Sequence, residues 1–242
     1  MSKKKIYWTF SPIINIPTII YPDPMKYFNY APCPVTNKYA NRTRLLLTPY
    51  DVEIQPVFTW IELEQKYVFN NFNISSKDLD ERHLWTPDTV IDTGEELWYD
   101  SAKAQFQIIM PYIFLSEEDI NMSLIGVQKS ETASELDDLL FIEASLNIKE
   151  QIRPLSSAWA FQKMQDTKAH FKKNQPHMKI HFSDDVELIK FSSTPLFQQW
   201  WAMNNGVTQY ARGTSKYFKL LDKRRPKHLW KEIKANSDYS EV

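Results

Sequence analysis

The stretch LLFIEASLNIK, residues 139–149, carries the alternation that decides the class of fold. Leu140, Ile142, Ala144, Leu146 and Ile148 fall on one parity, and Glu143, Ser145, Asn147 and Lys149 on the other. Successive side chains of a strand point to opposite faces, so this spacing predicts one strand with the first set buried and the second wet. A sheet with one wet face is antiparallel by habit. Working outward, DVEIQ (51–55) alternates in the same way, and TWIEL (59–63) and KYVFNNF (66–72) continue as short strand-like runs. AQFQIIMPYIFL (104–115) is more continuously apolar, which predicts a strand covered on both sides with Pro111 at a bulge or edge. MKIHF, SDD and VELIKF (178–191) have the form of a hairpin, with Ser183 to Asp185 as turn formers.

The period changes after Phe191. In SSTPLFQQWWAMNNG, Thr194 suits an N-cap, Pro195 the first helical position and Gly206 a left-handed terminator. Val207, Tyr210, Ala211, Phe218 and Leu221 then recur at helical spacing, and Pro226 ends that helix or starts another, KHLWKEIK. Many short strands with turn signals, followed by helices, predict a mainly β domain. Its strands form two packed antiparallel sheets or a partly open barrel, with a C-terminal helical extension. The expected divisions are a proline-rich extended segment packed on the body (1–41), a β-rich domain (42–191) and a basic helical extension (192–242). The acidic run 78–100 reads as a surface connection.

Composition limits the chemistry. There are only four glycines, Gly94, Gly126, Gly206 and Gly213, and no two stand close enough for a phosphate-cradling loop. The single cysteine, Cys33, has neither a disulfide partner nor a zinc-cluster companion, and it reads as a small buried side chain. No apolar run approaches the roughly 20 residues of a membrane helix. The N-terminal apolar stretch is broken by Pro12 and Pro17 and lacks a small-residue cleavage site, which predicts an intracellular chain.

In HMKIHFSDD, His177, Lys179 and His181 share a parity and are expected as exposed strand side chains. Two histidines four apart on a strand are separated by about 13 Å at roughly 3.3 Å per residue. Ligand bonds of about 2.1 Å cannot span that gap, so neither a metal nor another cofactor is expected. The acidic turns Glu117–Asp119, Asp137–Asp138 and Asp184–Asp185 read as solvated. Arg153 is expected to lie over Trp159.

Charge is the feature with functional content. KYFKLLDKRRPKHLWKEIK, residues 216–234, holds eight Lys or Arg and two acids, so it carries +6 in a chain of net charge −1 and leaves −7 elsewhere. On helices, Lys216, Lys219 and Lys223 form one stripe, and Lys227, Lys231 and Lys234 repeat it beyond Arg224, Arg225 and Pro226. Phe218, Leu221, Trp230 and Ile233 oppose them and suit docking on the body. A basic arm on an acidic body points to an acidic protein surface, or a second copy of the chain, as the partner. Nucleic acid bound through 216–234 is the alternative. A further one is an enzyme with a pocket in the sandwich or barrel, metal-dependent through His177 and His181.

Four pieces carry a resemblance: CPV (33–35), RLLLTPYDVEI (44–54), IRPLSSAWAF (152–161) and MKIHFSDDVELIKF (178–191). In them the chain resembles an uncharacterised protein family of tailed phages, especially phages of marine cyanobacteria. The resemblance implies a phage product in a host cytoplasm and assigns no activity or site residue. The sequence therefore predicts a non-enzymatic binding or assembly module.

Overall fold

A computed structural model describes residues 3–10, 25–26, 39, 41–48, 50–77, 91–92, 104–150, 152, 154–163, 166–210 and 228–238. Cys33 and Arg153 lie outside them. The strands are β1 (Lys4–Phe10), β2 (Met25–Lys26), β3 (Thr43–Leu47), β4 (Val52–Ile61), β5 (Lys66–Ser75), β6 (Ile91–Asp92), β7 (Gln105–Leu115) and β8 (Asn121–Gly126). They continue with β9 (Leu139–Ile142), β10 (Ala144–Asn147), β11 (Pro154–Phe161), β12 (Ala169–Phe171), β13 (Pro176–Phe182), β14 (Val186–Phe191) and β15 (Ser237–Asp238). Two helices, α1 (Pro195–Tyr210) and α2 (Leu229–Ala235), lie toward the C-terminus. The fold is mainly β with a helical C-terminal part, and the strands of the described residues form three sheets.

The largest sheet has the order β15-β14-β1-β7-β11-β9, with β6 also on β7. Strand β1 lies inside it, parallel to β14 and antiparallel to β7, so the first described residues supply a central strand. Both its faces are used. Ile6 and Trp8 enter the main core, while Tyr7 enters a second apolar cluster on the opposite side. That second cluster holds Ile113, Leu115, Ile189 and Phe191 of the sheet against Phe197, Trp200, Trp201, Leu229 and Ile233 of the two helices. The helices thus roof the face of the sheet that the main core leaves free. The second sheet runs β10-β8-β13-β3-β2 and the third β12-β4-β5. Pro111 sits where β7 advances from Ile113 to Ile109 while β11 advances only from Pro154 to Ser156. The irregularity accommodates a residue that has no amide to give a ladder.

Three expectations are corrected. Residues 139–149 are not one strand. β9 pairs with β11 in the first sheet and β10 with β8 in the second, and Glu143 belongs to neither. The inward parity reverses across that step: Leu139 is buried and Leu140 is 56% exposed, whereas Leu146 and Ile148 are buried. Of the expected core face, Ala144 is exposed and Ile142 only half-buried. The crossing is tight, because a Cβ on Gly126 would lie 2.9 Å from the Phe141 Cβ.

The second correction concerns β13 and β14. They form no hairpin: β13 joins β3 and β8, and β14 joins β1 and β15. The Ser183–Asp185 turn passes the chain between sheets. Third, α1 continues through Gly206 to Tyr210, although Thr194 does cap it, its Oγ1 accepting from the Phe197 amide at 3.2 Å.

Candidate functional site

The β4–β5 hairpin outruns its sheet. β12 pairs only with Val52 to Ile54, so the rest of the hairpin is a two-stranded ribbon. Between Val57 and Phe58 the pairing slips: Val57 faces Asn71 and Phe58 faces Phe69, leaving Asn70 as the extra residue of a bulge. Side chains three apart normally point to opposite faces, but the extra residue brings Phe69 and Phe72 together, with ring centroids 4.6 Å apart. An aromatic row results. Phe72 packs on core Phe106 at 5.5 Å, Phe58 meets Phe69 at 5.8 Å, and farther out Trp60 meets Tyr67 at 4.9 Å. The row ends in solvent, where Trp60 is 42% and Leu63 99% exposed.

Beside the bulge lies a cleft of about 470 Å³. Among the described residues its lining includes Gln55, Phe58, Tyr67, Asn73 and Asp166. Gln55 and Asn73 are cross-strand partners, which puts two amides side by side. Asp166 holds a left-handed backbone at φ 51°, a conformation Asp tolerates better than most residues. Among the described residues these three side chains form no hydrogen bond or ion pair, and all three are exposed.

The basic segment is only partly placed. Lys216, Lys219, Lys223, Arg224, Arg225 and Lys227 lie outside the described residues, as do Phe218 and Leu221. Lys231 and Lys234 lie on α2. That helix docks through Leu229 and Ile233, both buried, and through Trp230, which meets Tyr7 at 5.7 Å. Lys231 is exposed, whereas Lys234 Nζ reaches Glu117 of the β7–β8 turn at 2.5 Å. The other acidic turns are also paired: Asp119 with Lys149, Asp137 with Lys129, Asp138 with Lys163, Asp184 with Lys4 and Asp185 with Arg42.

The expectation of exposed strand histidines fails at His177. β13 is a central strand, His177 is fully buried, and among the described residues neither ring nitrogen has a hydrogen-bond partner. Burial pushes its pKa down to about 3. The Leu46 backbone pulls slightly the other way without completing a hydrogen bond. Lys179 is also buried, paired with Glu131 at 3.2 Å. Only His181 reaches the surface, stacked on Tyr39 at 4.9 Å. Its Nδ1 is 2.8 Å from Thr43 Oγ1, which itself donates to the Tyr39 carbonyl. The hydroxyl proton is thereby spent, so Nδ1 carries hydrogen and donates to Thr43, and Nε2 holds the lone pair. Burial and the neighbouring Arg42 lower the His181 pKa. Among the described residues no three His, Cys, Asp or Glu side chains gather as metal ligands.

One pairing had no sequence signal: His170 Nε2 lies 2.8 Å from Asp51 Oδ1, across a separation of 119 residues. The aromatic row has no sequence signal either, since the bulge that aligns it shows only in the strand register. Comparison of the chain with family models, curated proteins and solved structures finds no match. No helix among the described residues is long and apolar enough to cross a membrane.

Proposed function

We propose that the chain is a non-enzymatic binding or assembly module of the phage type, in which the basic C-terminal segment engages an acidic protein surface. The observation that carries this reading is the orientation of α2. Its apolar residues Leu229 and Ile233 are spent on the sheet, and Lys231 is turned to solvent at the end of a segment of charge +6. The Lys234–Glu117 contact is an example, within the chain, of the pairing that a partner would extend. The exposed tip of the β4–β5 hairpin supplies an apolar contact that charge alone lacks, because an exposed apolar patch beside polar residues is a common mark of an interface. A second copy of the chain, acidic outside this segment, offers the required surface as well as a foreign protein does.

The test is capture from phage-infected host extract with wild type and with the Lys219→Glu, Lys223→Glu, Lys231→Glu triple variant, at low and high salt. A specific partner is expected that wild type captures, that high salt weakens and that the reversal variant loses. Sedimentation of the purified chain distinguishes self-association. Equal capture by a folded reversal variant would remove the basic segment from the function.

A further inference from the structure

The tip of the β4–β5 hairpin carries apolar and acidic groups that its own chain leaves in solvent. Leu63 stands in the turn, 99% exposed, between exposed Glu62 and Glu64. Trp60 and Tyr67 form the second residue pair back from the turn, with ring centroids 4.9 Å apart. The turn is held in shape by its own bonds. The Gln65 side-chain amide donates to the Glu62 carbonyl at 2.9 Å, and the Glu64 and Gln65 backbone amides donate to the Ile61 and Glu62 carbonyls. A surface ordered before contact loses little entropy on binding. Glu64 pairs with Lys66 at 2.5 Å, but both side chains are more than half exposed, so the pair is worth little and can exchange. A two-stranded ribbon is marginal in water, and a leucine and a tryptophan exposed at its end add nothing to its stability. Covering them does.

We propose that the acidic surface engaged by the basic segment is this hairpin tip on a second copy of the chain. The inference rests on the binding role proposed for residues 216–234 and names the partner of that segment. Charge complementarity carries it. The tip sets Glu62 and Glu64 around Leu63, and the segment brings a charge of +6, with Lys231 exposed on α2. Opposite charges steer the encounter and fix its register, while burial of Leu63 and Trp60 supplies affinity that salt does not screen. Since Leu63 is 99% exposed in its own chain, the complement lies on another molecule. The contact joins two different patches, and each copy owns one of each. Assembly therefore runs head to tail, into a ring if the rotation closes and a filament if it does not. A single hairpin tip buries less than the roughly 800 Å² per partner of a standard interface, which makes each contact weak.

The experiment is sedimentation velocity of the full chain over a concentration series, at low and at high salt. Wild type is expected to self-associate with a dissociation constant on the order of 10–100 µM, weakened several-fold by salt. Leu63→Ser should weaken association about tenfold. Glu62→Gln with Glu64→Gln should weaken it several-fold and flatten the salt dependence. All three positions are exposed, so these variants keep the fold. Leu140→Ser, at an exposed leucine of β9, should leave association unchanged. The Lys219→Glu, Lys223→Glu, Lys231→Glu variant should fail alone yet associate with Leu63→Ser, because the mixture holds one intact tip and one intact segment. A chain that stays monomeric, or association indifferent to Leu63→Ser, would overturn the proposal. So would a reversal variant that self-associates like wild type, since the contact would then be tip to tip. A monomeric chain whose capture of a host protein falls with Leu63→Ser would make the occupant foreign and also overturn it. The role of the basic segment fails separately, through equal capture from extract by the reversal variant.

Discussion

His177 sits in the middle of a sheet with no exposed surface and a pKa of about 3, against an ordinary value of 6.5. Its folded pKa is the lower, so between those values the unfolded chain takes up a proton that the folded chain refuses. Stability is therefore undiminished above about 6.5 and falls as pH drops toward 3. The slope from one such group approaches about 1.4 kcal/mol per pH unit. We expect urea denaturation at pH 7 and at pH 4.5 to show this loss in wild type and a smaller loss in His177→Leu. At neutral pH the leucine should cost no more than about 1.5 kcal/mol, since it removes two unpaired nitrogens at similar volume. An unaltered pH slope in His177→Leu would contradict the burial of this imidazole. Sequence parity grouped His177 with Lys179 and His181, but β13 is irregular at His177, since Pro176 faces Leu47 and Met178 already faces Leu46, and the imidazole meets core Phe171 at 6.4 Å. Lys179 lies buried because Glu131, contributed by a distant turn, neutralises it.

Within elements, residues 139–149 show where period-two reasoning stops. The alternation is real on each side of Glu143, but β9 and β10 are four residues each and belong to different sheets. Continuity of the pattern through the step is a coincidence of composition. Leu146→Asp should destabilise the fold by roughly 3 kcal/mol or more, because it buries an unpaired charge. Leu140→Asp should stay within about 0.5 kcal/mol, as surface changes do. Thermal melts showing equal damage from the two would mean a single strand after all. Gly126→Ala probes the crossing itself. Its Cβ would approach the Phe141 Cβ to 2.9 Å, an atom fixed to the backbone, so the strands must separate at a cost of about 1–3 kcal/mol. The missed β13–β14 connection has a related origin. A three-residue turn between two apolar runs is chemically a hairpin turn, and nothing local reveals that β1, whose Lys4 faces Val186, is the partner of β14.

At the scale of the molecule, the mainly β class and the helical end were legible because they rest on sums over many residues. The cleft was not, since it brings Gln55 and Asn73, partners in the hairpin, beside Asp166 from a loop distant in sequence. The C-terminal part joins the fold to the proposed function most closely. Leu229 and Ile233 of α2 are buried against the large sheet, and β15 then adds to β14. Ending the chain before His228 removes both buried side chains, each contributing about 1.5–3 kcal/mol by burial, and uncovers part of a sheet face that includes Tyr7. A marked loss of stability is expected, with exposed apolar surface and aggregation. Charge changes on the same helix should behave differently. Lys231→Glu leaves the packing intact and should shift stability by no more than about 0.5 kcal/mol. Lys234→Glu also sets two carboxylates together at Glu117, but both groups are nearly half exposed, so solvent holds the loss to about 1 kcal/mol or less. Partner capture should show the opposite ranking, falling with Lys231→Glu through slower, less salt-sensitive encounter. Denaturant melts and capture rates on the same three variants separate a docking helix that presents charge from one whose lysines only hold it in place. If Lys231→Glu unfolded the chain, the lysine would belong to the fold. If it folded and captured the partner at the wild-type rate, that side of α2 would lie outside the interface.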